Sequence, residues 1–310
     1  MSATVSVGVF DGLHRGHRQI LERALERARA RGERCVVVSF DPHPDVVLSR
    51  SFQALSPLTP HPERRARLAE MGIETYVVIP FTRELASLAP EEFVVRHLIE
   101  PFGMRELVVG ATFALGRGRS GDVPRLRELG IRHGFEVEAV PLLEMDGTPV
   151  SSTRIRALVG EGRVPEAGRL LGRRYGLTGT VVKGDGIGRD LGCPTANLRL
   201  HDEKLIPANG IYAVWARIEG EAEWRAAAMS IGVRPTFGGQ ERTLEVHLLD
   251  WDGDLLGRGV EVEFEAWMRP ELKFDSPAAL AAAMQRDLAE ARRLLSAGPF
   301  ATGSAAAARR

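Results

Sequence analysis

Near residue 175 the hydrophobic pattern of this 310-residue chain changes period, and that change constrains the fold more than any other feature. Before it, short apolar runs alternate with helical stretches. Val5, Val7 and Val9 form the first run, and Cys35 to Val38, Tyr76 to Ile79, Leu107 to Val109 and Val137 to Val140 follow. Runs this short and this apolar suit strands buried on both faces. Between them Ile20, Leu21, Ala24, Leu25 and Ala28 recur at helical spacing from about Gly16 to Arg31, with Gly32 as the stop. Further helical patterns lie near Pro62 to Met71, Pro90 to Ile99 and Val123 to His133. Strictly alternating elements predict a doubly wound parallel sheet that binds ligands at the carboxyl ends of its strands.

After about Gly176 the runs come close together and are bounded by Gly, Pro, Asn and Asp. Gly179 to Val182, Ile211 to Ile218, Trp224 to Ile231, Thr243 to Leu249 and Val260 to Phe264 predict an antiparallel barrel or sandwich. A closing helix is expected over Pro277 to Leu295, with Leu280, Met284, Leu288, Ala291 and Leu295 on one face. The expected organisation is α/β plus β, with one domain over 1–160, a short helical linker over 161–174 and a second domain over 175–298. The low-complexity stretch 299–310 is expected to be disordered.

Composition excludes several classes. The 41 basic residues equal the 41 acidic ones, so the basic excess of a general nucleic-acid scaffold is absent. Two cysteines, Cys35 and Cys193, give neither a disulfide framework nor metal-ligand spacing. No basic-then-apolar leader and no run of about 20 apolar residues is present, so a cytoplasmic protein without membrane attachment is expected. Oligomeric state is not legible.

Chemistry concentrates in four segments. Gly8-Val9-Phe10-Asp11-Gly12-Leu13-His14-Arg15-Gly16-His17 joins the first strand to the first helix. The N–H groups and positive dipole end of a helix start suit a phosphate; His14 and His17 add imidazole donors, and Gly16 permits close backbone approach. The alternative is a helix cap with incidental histidines. Ser151-Ser152-Thr153-Arg154-Ile155-Arg156 reads as an N-cap, or as hydroxyls and guanidinium groups for a polyphosphate. Gly184-Asp185-Gly186-Ile187-Gly188-Arg189 lacks the following helix that a dinucleotide fingerprint needs, and fits a phosphate-covering flap or a long hairpin turn. In Pro194-Thr195-Ala196-Asn197, Thr195 and Asn197 alternate along an extended segment and face one side, offering hard oxygens to Mg²⁺. The alternative there is a turn leading into a strand with two exposed polar residues.

His14-Arg15-Gly16-His17 together with Ser151 to Arg156 resembles the nucleotidylyltransferase superfamily. Phe40-Asp41-Pro42-His43-Pro44 and Gly116 to Asp122 narrow the likeness to the FMN adenylyltransferase module of bacterial bifunctional FAD synthetases. Gly184 to Arg189, Leu191 to Asn197, Ser230 to Phe237, Glu245 to Asp250 and Leu272-Lys273-Phe274 occur in the order of the riboflavin kinase family. The resemblance spans roughly Val5 to Leu295. It implies a Rossmann-like nucleotidylyltransferase domain followed by an antiparallel β-barrel kinase domain with a terminal helix. It implies ATP, riboflavin and FMN as substrates and Mg²⁺ as cofactor. His14 and His17 would stabilise the adenylyl-transfer transition state, with Gly8, Phe10, Asp11 and Gly16 in the nucleotide loop and Ser152, Thr153 and Arg156 on phosphates. Gly184, Gly186, Gly188 and Arg189 would cover the kinase phosphates, Thr195 and Asn197 would meet Mg-ATP, and Glu245 would be the base on the ribityl 5′-hydroxyl. Arg234 is a phosphate partner or a structural arginine. One departure stands at Thr112, where the family usually carries Asp or Asn for substrate contact; a hydroxyl makes fewer hydrogen bonds. A kinase with an inefficient nucleotide-binding first domain, and a non-catalytic flavin binder, are the alternatives. Cys193, where the family often has an aromatic residue, is expected to pack.

Overall fold

In a computed structural model, residues 2–48, 56–184, 188, 192–236 and 239–298 are described. The chain divides into two compact units, Met1–Ser152 and Thr153–Arg310.

The first unit is a five-stranded parallel sheet. β1 (Ala3–Val7), β2 (Arg34–Asp41), β3 (Thr75–Pro80), β4 (Met104–Gly110) and β5 (Glu136–Val140) lie in the order β3-β2-β1-β4-β5. The order reverses between β1 and β4, and such a reversal opens a crevice at the carboxyl ends of those strands. Alternate residues explain why helices cover both faces. Val5, Val7, Val36, Val38, Leu107 and Val109 join one apolar cluster, whereas Val37 and Val108 join another. The second cluster takes Leu21, Ala24 and Ala28 from α1 (Arg15–Arg31) and Leu68 from α2 (His61–Glu70). The first takes Leu126 and Leu129 from α3 (Val123–His133). Gly32 ends α1 in the left-handed conformation at φ 65°, which a glycine adopts without a Cβ penalty. Glu106 is 1% exposed on β4, accepts from Arg27 at 2.7 Å and forms an ion pair with Arg31 at 3.0 Å, which fixes α1 to the sheet.

The helical stretch expected over Pro90 to Ile99 is divided. An α-turn over Pro90–Val94 passes into a π-helical segment, Val95–Ile99, and a last turn, Glu100–Phe102.

The second unit opens with α4 (Ser152–Gly160), whose first residue is shared with the first unit, and α5 (Val164–Leu171). α5 lies in the stretch 161–174 read from sequence as a short helical linker, and α4 lies just before it. Six antiparallel strands follow: β6 (Gly176–Val182), β7 (Ala196–Leu200), β8 (Gly210–Ile218), β9 (Arg225–Thr236), β10 (Gly239–Leu248) and β11 (Gly259–Arg269). They close into a barrel in the order β6-β7-β10-β9-β8-β11, so the barrel rather than the sandwich is formed. Leu244, Val246 and Leu248 alternate as buried residues along β10. The other barrel face receives α6 (Pro277–Leu295), where Ala291 and Leu295 pack on Ala213, Trp215 and Ala228. Ser276 caps α6 by accepting from the Ala279 N–H, and an Arg269–Asp287 pair with contacts of 2.8 and 2.6 Å ties the helix to β11.

Candidate functional site

The segment after β1 is wound into an unusual backbone. Phe10 (φ 51°), Gly12 (φ 86°) and Leu13 (φ 42°) all adopt left-handed conformations, costly for the two that carry side chains and concentrated at functional sites in proteins generally. Gly8 is required here, because a Cβ on it would stand 2.9 Å from the Phe10 ring. His14 is the N-cap of α1: its Nδ1 accepts the His17 N–H at 3.2 Å. That bond places the neutral ring's proton on Nε2. His17 stacks on His14 with ring centroids 3.6 Å apart, and the edge of Phe10 meets His17 at 5.4 Å. Gly16 is narrow for the same reason, since a Cβ would lie 3.3 Å from the His14 ring.

His17 is held well below its ordinary pKa, first by burial, then by the neighbouring His14 and then by Arg64. Its Nδ1 is buried and has no hydrogen-bond partner among the described residues. Two stacked imidazoles also resist carrying two charges.

Asp11 is 2% exposed, and its carboxylate is engaged by protein groups. Oδ2 accepts the Leu58 N–H at 3.0 Å, Oδ1 accepts the Thr59 N–H at 2.9 Å, and Arg64 donates to Oδ1 at 3.3 Å. Its backbone carbonyl accepts the Ser152 hydroxyl at 2.8 Å, so two segments 141 residues apart in sequence meet. Thr153 and Arg156 follow on α4, within its first turn and a half. Thr112 is exposed just past the end of β4, and its carbonyl accepts from Arg119 at 3.2 Å.

In the second unit a polar row crosses the barrel. Asn197 of β7 is paired in register with Glu245 of β10, which is paired with Ser230 of β9. Paired residues share a face, and the neighbouring pair Ala228 and His247 places this row on the side that carries α6. The Thr195 hydroxyl donates to Glu245 Oε2 at 2.9 Å. Gly184 and Gly188 lie against the same groups: a Cβ at Gly184 would collide with the Asn197 amide, and one at Gly188 would collide with the Cys193 carbonyl and stand 3.1 Å from Thr195 Oγ1. His247 Nδ1 lies 2.7 Å from the Pro194 carbonyl oxygen. Cys193 is fully buried and accepts from Gln285 of α6 at 3.2 Å, in keeping with packing. Gly186 and Arg189 lie outside the described residues, as do the side chain of Arg234 and the stretch 299–310.

Sequence reasoning missed Arg64, His61 and Tyr76. Arg64 is 3% exposed and donates to the Val9 carbonyl just after β1, and the His61 Nδ1 lies 2.7 Å from the Tyr76 hydroxyl. Burial, and then Arg64, push the His61 pKa down. Nothing in the local pattern of the α2 segment separates Arg64 from the surface arginines around it.

Among the described residues no cluster of three or more His, Cys, Asp or Glu is arranged to hold a metal, and no helix is long and apolar enough to cross a membrane.

Comparison with known proteins follows the division of the chain. Residues 1–154 match the family model for FAD synthetase, and residues 171–295 that for riboflavin kinase. Curated relatives described as bifunctional riboflavin kinase/FMN adenylyltransferase are similar along almost the whole chain. The Pseudomonas fluorescens protein is 40% identical, covering 93% of this chain and 92% of its own. The Escherichia coli K12 protein is 36% identical, covering 93% and 91%. The Listeria monocytogenes protein is 34% identical, covering 94% and 92%. A solved Streptococcus pneumoniae structure described as a macrolide-efflux protein superposes with a TM-score of 0.85 at 32% identity, covering 94% of each chain.

Proposed function

Since the chain belongs to the bifunctional riboflavin kinase/FMN adenylyltransferase family, we propose that it converts riboflavin to FMN with its second unit and FMN to FAD with its first. The observation that carries this reading is the coexistence of two separately built polar sites. One is a stacked histidine pair at the start of a helix beyond β1. The other is a carboxylate aligned with a hydroxyl and an amide on the barrel. The two domains of function correspond to residues 1–160 and 175–298, joined through 161–174, in the cytoplasm.

In the adenylyl-transfer step an FMN phosphate oxygen attacks the α-phosphorus of ATP, the bond to the β-phosphate oxygen breaks, and pyrophosphate leaves. Negative charge builds on the leaving pyrophosphate oxygen, beside the charged non-bridging oxygens of the transferring phosphoryl group. Neutral imidazoles of His14 and His17 and the first-turn N–H groups of α1 are preorganised donors for that charge. Gly8, Phe10 and Gly16 give the loop its close backbone approach. Ser152, Thr153 and Arg156 bind phosphate oxygens. Asp11 serves by holding the loop through Leu58, Thr59 and Arg64. Thr112 contacts the flavin or the nucleotide.

In the kinase step the ribityl 5′-hydroxyl attacks the γ-phosphorus of ATP and ADP leaves. Glu245 accepts the hydroxyl proton. The glycine-rich stretch with Gly184, Gly186, Gly188 and Arg189 covers the phosphates, and Arg234 pairs with them. Thr195 and Asn197 supply neutral hard oxygens, the donor type that Mg²⁺ takes when phosphates complete its shell. The ion, when bound there, neutralises phosphate charge.

Pure protein given riboflavin, ATP and Mg²⁺ is expected to form FMN and then FAD, separated chromatographically over time, with a parallel reaction started from FMN. Accumulation of FMN alone, with no FAD from supplied FMN, would replace this reading by a riboflavin kinase whose first unit binds nucleotide without transferring adenylyl groups.

A further inference from the structure

We propose that Arg64 is a positioning residue for adenylyl transfer, holding the loop that carries His14 and His17 in its reactive shape. The inference rests on the adenylyl-transfer reading of the first unit. The guanidinium is buried between the segment that leaves β1, at Val9, the Ser39 side chain late in β2 and the Tyr76 side chain early in β3. Nη1 donates to the Val9 carbonyl at 2.8 Å, the Ser39 hydroxyl at 3.2 Å and the Tyr76 hydroxyl at 3.2 Å. Nη2 donates to the Thr59 carbonyl at 2.8 Å and to Asp11 Oδ1 at 3.3 Å. Val9 and Asp11 flank Phe10, one of the residues forced into a left-handed conformation. Arg64 therefore grips the strained turn on both sides and ties it to β2 and β3. The four N–H groups on Nη1 and Nη2 of the planar fork share these acceptors, while Nε is buried without a partner among the described residues; an ammonium on a flexible stem has three donors and no such fixed plane.

The same charge acts on the histidine pair. His14 is stacked on His17, and Arg64, which holds the same loop at Val9 and Asp11, adds its positive charge. The charged and titratable groups facing Arg64 are Asp11, Tyr76 and, through Tyr76, His61, whose Nε2 lies 3.7 Å from Asp41. The positive charge of Arg64 thus adds to burial in keeping His17 neutral, so that the imidazole pair donates to phosphate without two stacked cations.

The test uses the full-length chain with two replacements. Arg64→Lys keeps the charge and loses the fork. Arg64→Met combined with Asp11→Asn removes both buried charges, leaving neither orphaned. His17 is titrated by NMR, its signal assigned by His17→Asn, alongside FMN adenylylation kinetics. Riboflavin phosphorylation by the second unit controls for an intact chain. In Arg64→Lys the His17 titration is expected to stay low while kcat for FAD formation falls about 10²-fold, the cost of roughly 1 Å of misplacement. In the double replacement the His17 titration and the acid limb of the FAD-formation profile are both expected to move to higher pH. An unmoved His17 titration in the double replacement, or an undiminished kcat in Arg64→Lys, would overturn the proposal. If the double replacement does not fold, the kcat of Arg64→Lys decides. If the unaltered protein makes no FAD, the adenylyl-transfer reading fails, while the His17 titration still judges the link to Arg64.

Discussion

Glu245→Gln changes the charge at the centre of the barrel's polar row while keeping its shape. The Thr195 hydroxyl donates to Glu245 Oε2 at 2.9 Å, and a carboxamide oxygen accepts the same bond. Backbone pairing with Asn197 and Ser230 is independent of the side chain. What disappears is the group able to take the ribityl proton. A positioned general base contributes about 10²–10⁴-fold, which corresponds to roughly 2.7–5.4 kcal/mol of transition-state stabilisation. The assay is the initial rate of FMN formation at saturating ATP and Mg²⁺, with riboflavin affinity followed by quenching of flavin fluorescence. The expected outcome is a kcat lower by about 10²–10⁴-fold, with riboflavin affinity retained and adenylylation of supplied FMN unchanged. FMN formation at the unaltered rate would refute the assignment of the base. Loss of riboflavin binding together with turnover would show instead that the residue holds the substrate.

Three further outcomes concern the first unit. Asp11→Ala strips a buried guanidinium of its counter-charge and leaves the Leu58 and Thr59 N–H groups without their acceptor; breaking such a buried pair costs about 3–5 kcal/mol, read as a lower urea midpoint for this unit. All four tryptophans fall at or beyond residue 215, so their fluorescence reports the second unit, and the first is better followed through Cys35. Burial pushes the Cys35 thiol up to about 11, so alkylation near neutral pH is expected only on unfolding, and rapid labelling of the native chain would contradict that burial. Neutral burial of His17 gives the pH dependence its sign. Between the ordinary histidine value of 6.5 and the lower folded value, the unfolded chain binds the extra proton, so stability falls as pH drops through that window and levels off below the folded value. His17→Asn is expected to flatten this slope in urea titrations at a series of pH values, and an unchanged slope would assign it to another group.

Those elements whose pattern is local were legible. The apolar runs of the first half became buried parallel strands because helices cover both sheet faces, and α6 occupies the range read from its periodicity, capped by Ser276. The Pro90 to Ile99 region was not, because a π-helical turn shifts the hydrogen-bond register without marking the apolar spacing. β9 and β11 extend beyond the apolar runs that announced them, since pairing continues through residues such as Arg234 and Arg269 that carry no apolar signal. Among site residues, the histidine loop and Ser152 stood out because they sit at helix starts. Arg64 did not, because its five partners come from four separate places in the chain and converge only in space. The pairing of Thr195 with Glu245 likewise depends on a strand register that no single segment encodes.

Closure of the barrel makes that register a collective property. A ring of strands has no free edge along which one member can slide, so the step at each pairing is bound to all the others. One residue inserted between Leu244 and Glu245 would send every later side chain of β10 to the opposite face, placing the carboxylate opposite Met229 and taking it away from Asn197. Length can therefore vary in the connections, such as 201–209 and 249–258, but not within the strands that hold the row. The geometry of the proposed phosphorylation site is thus guarded against small insertions by topology, before any single contact is considered.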